Sequence, residues 1–215
     1  MKKVFYFTCI IFLSIACANN TTEKDDPIKD FDENQSFVYN YDSVTTEIKW
    51  TAFKHMDRIP VGGKFDSFKI NGFEPADNIS DALKNVSFSI NTASTNTQDK
   101  DRDLKIVTNF FGNMQPDSRI EGRILEIKGA VNGSGSVLIQ MNGVGIPIKF
   151  EWKLNENNQF ILNANLNVLN WDLNQALEVL NEVCLEKHTG KDGISKLWAD
   201  VEVTVFTTLK KTPSS

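Results

Sequence analysis

From about residue 43 onward the apolar side chains return at every second position, the period of a strand with one buried face. Ile146, Ile148, Phe150, Trp152 and Leu154 alternate with Pro147, Lys149, Glu151 and Lys153. Val137, Ile139 and Met141 repeat the pattern, as do Phe160, Leu162, Ala164, Leu166 and Val168, and then Val201, Val203 and Val205. Weaker alternation runs through Ile48-Trp50-Ala52, Val86-Phe88-Ile90 and the stretch from Ile120 to Ile127. Turn signals at Gly62-Gly63, Asn71-Gly72, Asn132-Gly133, Asn142-Gly143 and Asn155–Asn158 divide these runs. Seven or eight half-buried strands must close over a common core. A sandwich and a barrel both satisfy that demand, and period alone does not choose between them. An eight-stranded barrel has an interior just wide enough for side chains or one small ligand.

One segment departs from the period of two. Leu173, Ala176, Leu177, Leu180, Val183 and Cys184 fall at helical spacing, with Glu178, Asn181, Glu182 and Glu186 between them. Asp172 reads as the N-cap, Gln175 stands three residues on, and Gly190 follows as a stop. The pattern predicts one amphipathic helix over about 172–188, just before the last strand, packed against one end of the barrel.

The N-terminus has a different logic. Lys2 and Lys3 precede an apolar run from Val4 to Ile15. That run is shorter than the about 20 residues of a spanning helix and matches a secretory signal. It ends in Leu13-Ser14-Ile15-Ala16-Cys17, which resembles a bacterial lipobox and implies cleavage before a lipid-bearing Cys17. The alternative is an ordinary cleaved signal in which Cys17 is accidental. Residues 1–16 are therefore expected to be a lipoprotein signal peptide, and 17–36 an acylated cysteine with a polar linker. The domain is expected over 37–211, followed by a short tail at 212–215. The expected location is the cell envelope, through a lipid anchor in the membrane.

Removal of residues 1–16 takes away Lys2 and Lys3 and no acid, so the formal charge moves from −5 to −7. Such a chain lacks the electrostatic footprint of a nucleic-acid partner. Cys184 is left without a cysteine to pair with once Cys17 is acylated, so disulfides are not expected to stabilise the domain. No second apolar segment approaches spanning length, and the domain itself is expected to be soluble.

Several strings occur in an order that carries a family resemblance. They are Asp42-Ser43, then Ile48 to Lys54, then Val61-Gly62-Gly63-Lys64-Phe65-Asp66-Ser67-Phe68. After these come Val86 to Thr97, then Arg102-Asp103 leading to Phe110-Phe111, then Gly135–Leu138, Asn142-Gly143-Val144 and Pro147-Ile148. Together they resemble the YceI-like, polyisoprenoid-binding family over residues 38–209. The resemblance implies a lipocalin-like antiparallel eight-stranded β-barrel whose apolar tunnel holds an isoprenoid chain. Family members often carry histidines where this chain has Leu104 or Lys105, and Asn142, which leaves the ligand's identity open.

Candidate chemistry is sparse. The two histidines, His55 and His188, stand in unrelated contexts, and His188 reads as a surface residue at a helix C-terminus. No cysteine–histidine spacing suggests a metal, no serine lies in a nucleophile elbow, and no cofactor or enzymatic activity is expected. The aromatics offer either a tunnel lining or a filled core: Trp50, Phe53, Phe65, Phe68, Phe88, Phe110, Phe111, Phe150 and Trp152, with Ile90 and Met141. Arg102 and Asp103 are candidates for the tunnel mouth or for a lipid headgroup. Their alternative is a solvated loop ordered by an Arg102–Asp103 pair. Cys184 reads as a buried, inert thiol. The expected function is non-enzymatic binding of an isoprenoid or similar lipid. The competing classes are an interaction or adhesion module with a filled barrel, and a small-lipid hydrolase or redox enzyme.

Overall fold

The structure is a computed structural model that describes residues 36–214. The expected signal peptide, Cys17 and all but the last residue of the expected linker lie outside the described residues.

The alternating runs form antiparallel strands. In chain order these are β1 (Phe37–Asn40), β2 (Glu47–Lys54), β3 (Ile59–Phe65), β4 (Phe68–Asn71), β5 (Ser87–Asn91) and β6 (Thr95–Asn96). They continue with β7 (Arg119–Gly129), β8 (Asn132–Met141), β9 (Val144–Leu154), β10 (Gln159–Asn167), β11 (Leu197–Thr208) and β12 (Lys210–Pro213). Ten of these segments belong to one sheet and pair as a meander, with β11 returning to β2.

Two interruptions hide the closure. β3 and β4 are halves of one strand bent at Asp66-Ser67; β3 pairs with β2 and β4 pairs with β5. β5 and β6 are likewise halves of its neighbour, and Phe65↔Thr95 and Phe68↔Ile90 keep a common antiparallel sense. Backbone bonds from Asp66 N to Ser94 O and from Asn91 N to Ser67 O bridge the bend. The ten segments are thus eight strands joined edge to edge, which removes the free edges of an open sheet.

The β8–β9 hairpin shows how local sequence sets register. Asn142 and Gly143 both take left-handed backbone, at φ 50° and 73°, as a tight primed turn requires. Ten residue pairs then run without a shift from Met141↔Val144 to Asn132↔Lys153. Two other expected turns lie elsewhere. Gly62-Gly63 sits inside β3, where a side chain on Gly63 would collide with ring carbons of Trp50. Asn132-Gly133 opens β8, and the reversal precedes it. β1 and β12 pair as a separate ribbon, so ordered pairing reaches Pro213, beyond the expected limit of residue 211.

The helices differ most from the expectation. The structure adds α1 (Ile79–Leu83) and α2 (Lys100–Asn109). Asp99 caps α2 by accepting from Arg102 N at 3.1 Å, so the expected solvated loop is a ten-residue helix. The single helix over about 172–188 is divided into α3 (Asn174–Val183) and α4 (Leu185–His188). Asp172 is not its N-cap. It takes φ 56° at the end of the 3-10 turn Val168–Trp171, and Leu173 occupies the cap position without a side-chain bond.

Candidate functional site

The inward faces of the strands leave two internal cavities. The first, about 220 Å³, lies under α2, α3 and α4 and takes in Trp50, Phe65, Phe110, Phe111, Leu177 and Leu180. The second, about 160 Å³, lies toward the opposite end, between residues such as Phe88, Ile90, Ile124, Phe160 and Val205. Trp50, Phe65, Ile120, Met141, Leu166 and Val203 border both, so the two cavities adjoin in mid-barrel, with these shared residues as the neck between them. The second cavity's few polar neighbours include Thr46 and Thr207, whose hydroxyls bond each other at 2.8 Å. A larger void, about 410 Å³, is walled by Arg58, Asp200, Glu202 and three asparagines where β9 and β10 stop pairing; its polarity does not suit a hydrocarbon chain.

Most expected lining residues converge here. Trp50, Phe65, Phe88, Ile90, Phe110, Phe111 and Met141 border one or both cavities. Phe53 touches the first cavity and also carries the Arg58 guanidinium 4.4 Å above its ring. Phe68, Phe150 and Trp152 border neither apolar cavity. Phe150 and Trp152 are buried, Phe150 against the space that Gly135 leaves empty and Trp152 stacked on Phe160 at 5.6 Å. The aliphatic wall of Ile120, Leu166, Leu177, Leu180 and Val203 is absent from the sequence candidates, although its parity and helical spacing are readable.

One opening of the first cavity is charged. Lys54, Asp99, Asp101, Arg102, Lys105, Lys187 and His188 stand around it. Arg102 pairs with Asp99 at 3.4 Å, not with Asp103. Asp103 instead accepts from Thr97 N at 2.7 Å and from Thr97 Oγ1 at 2.6 Å, tying α2 to β6. Lys105 pairs with Asp101 at 2.9 Å, and that hydrogen bond raises its pKa. Asp99 is held below the usual carboxylate range, chiefly by the Arg102 N–H.

Residues 39–205 match the family model described as the YceI-like domain. The chain belongs to the YceI-like family. Solved structures agree on the barrel. A polyisoprenoid-binding domain from Saccharophagus degradans, implicated in plant cell wall breakdown, superposes with a TM-score of 0.53 at 11% identity, covering 84% of this chain and 99% of that one. BcnA of Burkholderia cenocepacia gives 0.55 at 11% identity, covering 80% and 99%. At that identity the likeness establishes fold. No curated protein sequence matches the chain.

The positions where this YceI-like domain lacks histidine have structural occupations. Asn142 accepts from Gln115 N at 2.8 Å and donates to Trp171 O at 2.9 Å, clipping the β8–β9 turn to the segment that closes this end. The histidines it does have, expected to be unrelated, are neighbours. His55 Nε2 lies 3.0 Å from Lys187 O, and His188 Nδ1 lies 3.0 Å from Asn181 Oδ1. His188 is buried rather than exposed, and its pKa falls to about 4, first through burial and then through Lys54 and His55. Cys184 borders the first cavity, and burial raises its thiol pKa, which disfavours the reactive thiolate. Among the described residues no cluster of three or more His, Cys, Asp or Glu could hold a metal. Among them, too, no helix is long and apolar enough to cross a membrane.

Proposed function

We propose that the protein binds an amphiphilic isoprenoid or similar lipid inside its barrel, without catalysis, and stores or carries it at the cell envelope. The observation that carries this reading is the pair of adjoining apolar cavities, which have six lining residues in common. Ligand sites usually enclose about 300–1,000 Å³, and neither apolar chamber reaches that range without the other. Each buried methylene contributes about 0.8 kcal/mol, so a chain threaded through both needs little headgroup recognition. The void also favours this reading over an interaction module with a filled core. The decisive experiment is mass spectrometry of organic extracts from natively purified protein. An isoprenoid or other lipid enriched over a control lipoprotein is the expected result; no enrichment defeats the reading.

Location is part of the same proposal. Cys17 carries a diacylglycerol anchor and holds the barrel beside a bilayer, a reading that rests on the lipobox-like string Leu13 to Cys17. A Cys17→Ala variant is expected to leave the membrane fraction. Full retention with membranes overturns the anchor.

A further inference from the structure

The protein has four tryptophans, and three of them satisfy their indole N–H on a backbone carbonyl. Trp152 donates to Lys128 O at 3.0 Å, Trp171 to Ile139 O at 3.0 Å, and Trp198 to His55 O at 2.7 Å. Trp50 donates to nothing. Its Nε1 is shielded from solvent, and among the described residues it is the one buried side-chain nitrogen or oxygen without a partner. A buried polar group left unpaired costs about 1–3 kcal/mol, and native structures carry few without a reason. A phenylalanine would bury similar apolar area without that cost.

The place of this indole supplies a reason. Trp50 borders both chambers, so any chain long enough to occupy the two passes beside it. Its ring rests in the notch left by Gly63: the three nearest obstacles to a Gly63 side chain are two ring carbons of Trp50 and Thr97 Cγ2. Void on the chamber side leaves room for the ring to shift and turn the N–H toward a passing ligand. The neighbours it shares the neck with, Phe65, Ile120, Met141, Leu166 and Val203, carry no side-chain nitrogen or oxygen. The cations Lys54, Arg102, Lys105 and Lys187 border the first chamber and Lys49 the second, and none of them is among the residues that border both. An anionic headgroup in the neck would thus be desolvated without the paired charge it needs.

We propose that Trp50 is a ligand-binding residue that donates its indole N–H to an uncharged oxygen of the bound lipid, a carbonyl, hydroxyl or ether, held in mid-barrel. This rests on the lipid-binding reading and narrows it: the preferred cargo is an oxygen-bearing neutral chain rather than a pure hydrocarbon or one whose only polar group is a phosphate.

The test uses phytol and phytane, one branched carbon skeleton that in phytol carries an allylic hydroxyl and in phytane carries neither hydroxyl nor double bond, on the intact wild-type protein and on Trp50→Phe. Wild type is expected to bind phytol about three- to tenfold tighter than phytane, the worth of one net hydrogen bond. Trp50→Phe is expected to lose the preference and bind the two probes with similar affinity, whatever the altered wall does to both. In wild type labelled with nitrogen-15, phytol but not phytane is expected to move the Trp50 indole proton downfield, a readout that needs no variant. An unchanged phytol-to-phytane ratio in Trp50→Phe, or an indole resonance indifferent to phytol, overturns the proposal while leaving lipid binding intact. Failure of both probes to bind wild type overturns the lipid-binding reading and this proposal with it.

Discussion

Trp152 and Trp50 both project from strands into the barrel interior, yet they stand in regions built to opposite ends. Around Trp152 the interior is full: the ring is 3% exposed, stacks on Phe160, donates to Lys128 O, and neighbours a Phe150 that fills the room over Gly135. Around Trp50 the interior is hollow, and its N–H has no partner. The same alternation of apolar residues therefore produces core in one place and cavity in another. What decides is the facing strand and what lies beyond it, not the residue itself.

The largest expected effect separates the two rings by stability. Trp152→Ala removes a tightly packed ring and a satisfied hydrogen bond, and is expected to cost about 3–5 kcal/mol. Trp50→Ala removes a ring that already borders void and has no bond to lose; about 1–2 kcal/mol is expected, from the lower end of large-to-small losses. Urea denaturation of both variants measures the difference. Equal losses would break the comparison, because Trp50 would then be ordinary core.

Acid should act on the hollow end. His188, beside the charged opening, is buried neutral with a pKa of about 4, below the about 6.5 of an unfolded histidine. Between those values the unfolded chain binds the extra proton, so stability is intact above about pH 6.5 and declines as pH falls toward 4. The loss is about 2 kcal/mol after allowance for solvent screening. His188→Gln, which can keep a bond to Asn181, is expected to flatten the part of the pH–stability curve between those limits. A wild-type curve that is level from pH 7 to pH 4 removes His188 as the cause.

Two glycines sharpen the contrast further. An alanine at Gly135 would run into the backbone oxygen of Glu126 as well as the Phe150 ring, and backbone cannot move cheaply. Overpacking of that kind costs about 1–3 kcal/mol. An alanine at Gly63 has side-chain atoms of Trp50 and Thr97 as its three nearest contacts, and the Trp50 ring borders void. Gly63→Ala is expected to leave stability within about 1 kcal/mol while narrowing the neck. Thermal melts and lipid titrations on the two variants distinguish a stability defect from a binding defect.

The comparison also marks how far sequence reasoning reaches. Strand identity was legible because Ile148, Phe150 and Trp152 obey the period of two whether they fill or line the barrel. For the same reason their role was not: burial by a neighbour such as Gly135 depends on register across strands, which period does not encode. Strand number was legible only as seven or eight, with eight supplied by the family resemblance, and the bend that divides Ile59–Asn71 and closes the barrel is set by pairing on opposite sides of its two halves. The candidate site was read through its aromatics, so Val203 and Leu180 were passed over although they obey the same periods. Helix α2 escaped because Asp99 to Asp103 is dominated by charge, and its apolar residues are few. The packing of α2 against α3 and the barrel end, a long-range effect, supplies what propensity lacks.

That helix offers the smallest expected effect and a direct link between cap and cavity. The Asp99 carboxylate closes the first turn of α2 through Arg102 N and also pairs with the Arg102 guanidinium. Asp99→Ala removes both, but the ion pair is solvent-exposed and contributes little. The cap is expected to dominate, at about 1 kcal/mol. Asp99→Asn retains a capping oxygen and loses the charge, so it should recover most of that stability. Because α2 roofs the first chamber through Ile106 and the Phe110 that follows it, fraying of its first turn loosens the cover of that chamber without touching Trp152. Hydrogen exchange should therefore quicken in α2 of Asp99→Ala while the β8–β9 hairpin stays protected. Uniform acceleration in both would mean that the cover of the first chamber and the packed region around Trp152 open together, and that the contrast between them ends at packing.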